Sequence, residues 1–470
     1  FPLTVKPAKH LFFSSSHTSC SNAVTVRSKR FSNVKSKLCS STISCFLSLV
    51  NDSPTMSSIK TLTSFVCVCL ILSKFNVGSI ALYDVFNKLI GWNDYSYSYG
   101  DREIRTINPS IQSGSTVLFE SYEDMQLHEK GQYPGITYGT GGLSTQKSFE
   151  EAICKLENGH ISRAFPSGIN AIICTLMAFT QSGDEVLITD NVYGPTARFC
   201  HKVLAKYNIK ISHIESNIGS EISQYINDNT KLIFLESPGS NTFEIQDIPA
   251  IVKIAKKAGI PTVIDNTWAT PLFLKPLDLG VDISIHSATK YICGYSDVLI
   301  GCVTVNKKYS EDLDEYLHTV ESYTNSHDCY LALRGLRTLQ VRLSAHQKSA
   351  FEIARWLETE DIVDCVIHPG LESHPQHSLW KRDYSGASGL FAFTFKEKYS
   401  DKQIALFINS LEMFGLGYSW GGFKSLVTAR QYKRDGKWVH DGKHLIRLNI
   451  GLEDTKDLIS DIKSSFSTLN

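Results

Sequence analysis

From residue 145 onward the chain alternates between two hydrophobic periods. In 144–158, Phe149, Ala152, Ile153 and Leu156 recur at helical spacing, and Ser148 with Glu151 offers a capping box near its start. Short apolar runs follow at 185–189, 209–214, 231–236, 261–265, 282–286 and 299–305, each of strand length. Helical stretches at 168–180, 194–206, 217–228 and 247–258 separate them. Strand and helix alternating at this spacing predict an α/β domain over 145–332, with a mostly parallel sheet covered on both faces.

After residue 332 the rhythm changes. A long amphipathic stretch at 333–358 precedes mixed strands in "DCVIHP", "GLFAFTF" and "LIRLNIG", and a helix over 454–468 closes the chain. This predicts a smaller α+β C-terminal domain over 333–470. Residues 82–144 are polar and Tyr-rich with little period. Such a segment cannot bury a core alone, so it is expected to be an arm lying on another surface, a neighbouring subunit's included.

The front end differs in composition. Residues 1–50 hold seven basic residues and no acid, while the remainder carries 40 basic against 47 acidic residues. That body has no global basic field for nucleic acid. The Ser-rich, basic leader fits a transit peptide; a start at Met56 would instead give a signal peptide with Leu62–Leu72 as its apolar core. Non-native sequence is the third option, and residues 1–81 are set apart from the fold on any of them. The apolar core falls short of the roughly 20 residues that span a bilayer, so no membrane partner is expected. Twelve cysteines are scattered with no paired CxxC pattern, which speaks against a zinc site and for a reducing, cytoplasmic home.

Open α/β sheets bind ligands outside the carboxyl ends of their strands. Glu236 ends "KLIFLE", Asp265 ends "PTVID", and "SATK", with Ser287, Thr289 and Lys290, follows "DISIH". Alone, a strand-end Asp is most often a structural cap and a lysine after a strand a solvated turn residue. Together they point to one group. Pyridoxal phosphate (PLP) binds a lysine amine covalently and offers a pyridinium N–H to an aspartate. Its phosphate needs N–H groups at a helix start. "FPSGINAIICTLMAF" provides one at Ser167–Gly168, although an ordinary N-cap would look the same. "YGTGG" at 138–142 lacks a preceding strand and the full GxGxxG spacing of a dinucleotide site.

With these residues in view the chain resembles the PLP enzymes of cysteine and methionine metabolism, and among them the carbon–sulfur β-lyases. The likeness runs from about Asn108 to the C-terminus through "NPSIQSGSTVLF", "FPSG", "NVYGPT", "FLESPGS", "VIDNTWATPLF", "SATKY", "RGLRTLQVRL", "YSWGG" and "LIRLNIGLED". It implies the aminotransferase-like fold type I, with Lys290 as the covalent anchor and proton shuttle and Asp265 on the pyridinium nitrogen. It also implies Tyr193 stacked on the ring, and Gly168, the Ile169 N–H, Ser287 and Thr289 on the phosphate. Tyr138 would reach a neighbouring subunit's phosphate in a homo-oligomer, a dimer of dimers. Arg447 and Ser419 would hold the substrate carboxylate, with Tyr418 and Trp420 shaping the side-chain pocket. The implied reaction cleaves cystathionine to homocysteine, pyruvate and ammonia, a step of methionine biosynthesis, with cysteine desulfhydration as a side activity. A γ-lyase or γ-synthase and a non-catalytic descendant are the alternatives. Two positions depart from the family pattern: Thr140 stands where an arginine usually grips the neighbouring phosphate, and Tyr295 where histidine is common. Ser240 replaces the asparagine of γ-acting relatives.

Overall fold

The computed structural model describes residues 95–99, 101–432, 440 and 442–469. The leader at 1–81 and the start of the arm at 82–94 lie outside them. The arm's described part holds a hairpin, β1 (Tyr95–Tyr99) and β2 (Arg102–Thr106), and a short helix at Tyr122–Glu129. Ile107, Leu118 and Tyr122 stand exposed along it, as a segment without a core of its own would leave them.

The helix that follows, α1 (Ser144–Glu157), buries Phe149, Ala152, Ile153 and Leu156 on the expected face. Its start differs from expectation. Leu143 is the N-cap, Gln146 Oε1 accepts the Leu143 N–H, and Ser148 lies inside the helix bonding back to the Ser144 carbonyl. Strand β3 (Ile161–Phe165) leads into α2 (Gly168–Ala178), whose N-cap Ser167 accepts the Asn170 N–H at 3.2 Å. Next come β4 (Glu185–Thr189), α3 (Gly194–Lys202), β5 (Lys210–Ile214), β6 (Thr230–Glu236), α4 (Ile248–Ala258), β7 (Thr262–Asp265), β8 (Ile283–His286) and β9 (Gly301–Val305).

The expected helix at 217–228 is only a 3-10 turn, Ser220–Gln224. Asn227 ends it locally: its side chain accepts the Asn229 N–H, and its own N–H goes to the Thr230 hydroxyl. These short side-chain bonds compete with helix bonding.

The large sheet runs β3-β9-β8-β7-β6-β4-β5. Its β8-β7-β6-β4-β5 portion is parallel, while β9 lies antiparallel to both β8 and β3. The strands are apolar almost throughout: Val186, Leu187, Ile188, Leu232, Ile233, Phe234, Val263 and Ile264 are fully buried, as a sheet covered on both faces requires.

Helices α5 (Ser310–Thr319), α6 (Ser326–Leu336) and α7 (Leu339–Leu357) follow. The continuous helix expected at 333–358 is thus broken at Arg337–Thr338, where the chain turns around a guanidinium. Arg342, in the first turn of α7, donates to Gly335 O on α6 at 2.8 Å. The second sheet, β10 (Val363–Ile367), β11 (Leu390–Phe395), β12 (Gly415–Leu416), β13 (Leu426–Arg430) and β14 (Leu445–Asn449), has the order β10-β11-β14-β13-β12. Helices α8 (Asp401–Ser410) and α9 (Thr455–Phe466) pack on it through Phe407, Ile462 and Phe466. Fold type I, a mostly parallel sheet beside a smaller second one, is the architecture present. No described helix is long and apolar enough to cross a membrane.

Candidate active site

Strands β6, β7 and β8 lie side by side and end at one edge of the sheet. Glu236 is in register with Asp265, and Asp265 with Ile285. Beyond β8 the chain makes tight turns in which Lys290 N–H donates to Ser287 O and Gly294 N–H to Lys290 O. These turns are clamped from behind. The buried Arg342 guanidinium donates to Tyr291 O at 2.7 Å and Ile292 O at 3.2 Å. From the C-terminal side the "YSWGG" loop presses on the same segment. A Cβ on Gly421 would lie 2.8 Å from the Tyr291 nitrogen, and Gly421 has φ +82°. Only glycine meets both conditions. The loop therefore brings Ser419 Oγ to 2.6 Å from Lys290 Nζ and the Trp420 ring to 5.5 Å from it.

Burial, helped by the Arg447 charge and opposed by Asp265, lowers the Lys290 amine to a pKa of about 8. A lysine so tuned is poised as nucleophile and base near neutral pH. Asp265 is buried, which pushes its carboxyl up from the usual range. Thr267 works against that shift: its N–H donates to Asp265 Oδ1 at 3.0 Å and its hydroxyl to the same oxygen at 2.5 Å. The Thr267 hydroxyl in turn accepts the Ser287 N–H at 2.8 Å, so the acid and the turn before the lysine share one bridge.

Where the sequence suggests a phosphate, backbone segments approach closely. A Cβ on Gly168 would sit 2.5 Å from the Ser287 Cβ, and one on Gly301 would sit 2.5 Å from Ser167 O. The N-terminus of α2, with Gly168 and Ile169, therefore opens directly against Ser287. This concavity of N–H groups suits a phosphate, the buried Asp265 suits a cationic ring nitrogen, and the depressed Lys290 amine suits an aldehyde. The residues present fit PLP. Thr289 differs from expectation, because its hydroxyl donates to Ile300 O at 3.1 Å and accepts the Ile300 N–H at 2.9 Å. As it stands, that hydroxyl ties the turn to the strand-entry loop.

Arg447, on β14, is largely shielded, and burial lowers its guanidinium below the usual range. It donates to Asn241 Oδ1 at 3.0 Å and to Ser419 O at 3.3 Å. Asn241 and Ser419 both have left-handed backbones, with φ +67° and +76°. Tyr193 precedes α3 and is 43% exposed. Its N–H donates to Glu236 Oε2 at 2.6 Å.

Lys290, Ser419, Trp420 and Arg447 are thus brought together, as are Asp265, Thr267 and Ser287. Tyr418 points outward at 91% exposure and Tyr138 stands in the arm at 49%, bridging Thr116. Sequence inspection missed Thr267, Asn241 and Arg342. The first lies two residues beyond the strand-end acid, where such a hydroxyl can reach back. The others had no local signal. Among the described residues no three His, Cys, Asp or Glu side chains form a metal-binding group.

Comparison with known proteins agrees with this chemistry. The profile of the family described as "Cys/Met metabolism PLP-dependent enzyme" matches residues 96–467. A putative cystathionine beta-lyase of Rhizobium johnstonii is 44% identical over 367 residues, 77% of this chain and 91% of that protein. The cystathionine beta-lyase MetC of Escherichia coli is 39% identical, covering 77% of this chain and 94% of that one. The crystal structure of metB from Corynebacterium glutamicum superposes with a TM-score of 0.72 at 28% identity, over 82% of this chain and 98% of the other.

Proposed function

Because the chain belongs to the Cys/Met metabolism PLP-dependent enzymes, we propose that it is a carbon–sulfur β-lyase acting on cystathionine. The observation that carries this is the meeting of Lys290, its amine lowered to about 8, with Ser419 and Arg447 at the ends of strands that also carry Asp265. When bound, PLP supplies an electron sink for the carbanion formed at the substrate Cα. The protein's own residues do the rest. Lys290 would hold the cofactor, and its amine, freed when the substrate amine takes its place, would accept the Cα proton and deliver it to the leaving sulfur. Asp265, whose Oδ1 accepts the Thr267 N–H, would face the ring nitrogen. Arg447 receives the substrate α-carboxylate as a paired fork, and its Asn241 and Ser419 contacts set its orientation. Trp420 and the Tyr193 ring exclude water from the reacting atoms.

Ser240, in place of the asparagine of γ-acting relatives, favours β- over γ-elimination. Tyr138 is assigned to a neighbouring subunit's cofactor, which makes a homo-oligomer, a dimer of dimers, the working unit. The cysteines of the described residues are all free thiols, which suits the cytoplasm as location. The test is product analysis with cystathionine. Pyruvate and homocysteine from wild type, with none from Lys290→Ala, is the expected result. 2-Oxobutyrate as the keto acid would replace β- by γ-lysis, and absence of both would refute the lyase.

A further inference from the structure

One strand-end carboxyl has no part in the chemistry above. Glu236 ends β6 beside Asp265 and is the closest acid to it in register. Two carboxylates at adjacent strand ends repel, and a chain that needed only one would gain from an apolar residue in the other place. Glu236 has a partner that explains it: its Oε2 accepts the Tyr193 N–H at 2.6 Å. That bond is made where α3 begins without any side-chain cap, because Tyr193 itself occupies the N-cap position. A second stitch lies beside it, from Ser240 N–H to Asn191 O at 2.8 Å. The turn carrying Tyr193 is therefore tied twice, once to the last residue of β6 and once to the segment that follows it.

We propose that Glu236 is a positioning residue for the cofactor: it fixes the Tyr193 backbone so that the ring stands over the site bounded by Lys290 and Asp265. This deepens the proposed function and rests on it. Glu236 touches neither substrate nor cofactor and acts through Tyr193. Burial and the Asp265 charge both push the Glu236 carboxyl well above its usual range, while the Tyr193 N–H and the Ser240 hydroxyl pull it back. A glutamine amide oxygen offers the Tyr193 N–H the same acceptor without a charge next to Asp265.

The test is PLP binding to cofactor-free full-length protein, followed by quenching of intrinsic fluorescence and needing no turnover. E236A is expected to weaken PLP about tenfold, the scale of one buried hydrogen bond with its donor left unpaired. E236Q is expected to recover most of that loss. In a Y193A background, E236A is expected to add less than about twofold, because the backbone bond survives there but the ring whose placement it fixes is already gone. A purely structural role for Glu236 predicts the same loss in both backgrounds, and that result, or E236A binding as tightly as wild type, overturns the proposal. Should E236A not fold, E236D, whose carboxyl is withdrawn by one methylene, replaces it with the same expectations. Failure of wild type to bind PLP would sink the proposed function itself, whereas tight wild-type binding with additive variants sinks only the role of Glu236.

Discussion

The amine of Lys290 donates to the hydroxyl of Ser419 at 2.6 Å, joining the edge of the large sheet to the loop that precedes β13. Arg447 reaches the carbonyl of that same serine at 3.3 Å. One residue held at φ +76° therefore arranges both the nucleophile and the guanidinium. The lysine pays attention to that neighbouring charge, and its titration should report it.

Only the neutral amine condenses with an aldehyde. With Lys290 lowered to about 8, PLP uptake by cofactor-free protein should rise between pH 7 and 9 with a midpoint near 8. Arg447 contributes to the lowering and Asp265 opposes it. Arg447→Leu should therefore move the midpoint up, and Asp265→Asn should move it down. Stopped-flow absorbance across pH checks this; a midpoint near that of free lysine would show that the amine is not desolvated.

Asn241 supports Arg447 through a single neutral-to-charged hydrogen bond of 3.0 Å. Asn241→Ala should raise KM for cystathionine about ten- to a hundredfold, the range for a bond to a charged group, with a smaller change in kcat. Steady-state kinetics separate the two, and an effect confined to kcat would contradict the orienting role.

Thr140 replaces a cation expected at the neighbouring phosphate. Thr140→Arg should slow cofactor loss on dialysis by about tenfold, as one added charge-assisted contact allows. Equal residual PLP in the two proteins would place residue 140 away from the phosphate.

Gly168 is demanded by space rather than by its backbone angle, since an added Cβ would lie 2.5 Å from both the Cβ and Oγ of Ser287 and 2.9 Å from its Cα. Gly168→Ala should destabilise the protein by about 1–3 kcal/mol, the cost of overpacking a tight contact. It should also weaken PLP by displacing α2 from the turn. Thermal unfolding and PLP titration measure the two effects, and an unchanged Tm would mean that the turn yields freely.

Much of this was legible in the sequence because it is local. Strand runs such as 185–189, and the acid at the end of 262–265, follow from apolar runs and their polar ends. The helix over 217–228 was misjudged because Ile218, Ile222 and Ile226 have helical spacing while the Asn227 side chain bends the backbone out of it. The break at Arg337–Thr338 was hidden for another reason: it depends on Arg342 finding carbonyls at 291 and 292, fifty residues away. Asn241 and Arg447 are 206 positions apart, and no periodicity connects them. Arg447 stood out as a cation inside an apolar strand, but its partner could not be named until the two sheets met.

The brevity of β7 has an evolutionary consequence. It has four residues, with Asp265 as the last, paired to β6 and β8 on either side. Side chains alternate faces, so adding or deleting one residue within Thr262–Asp265 would turn the carboxyl toward the opposite layer. Descendants of this chain can lengthen or trim their surface connections, but an indel in that tetrapeptide would abolish the enzyme at a stroke while barely disturbing its hydrophobicity.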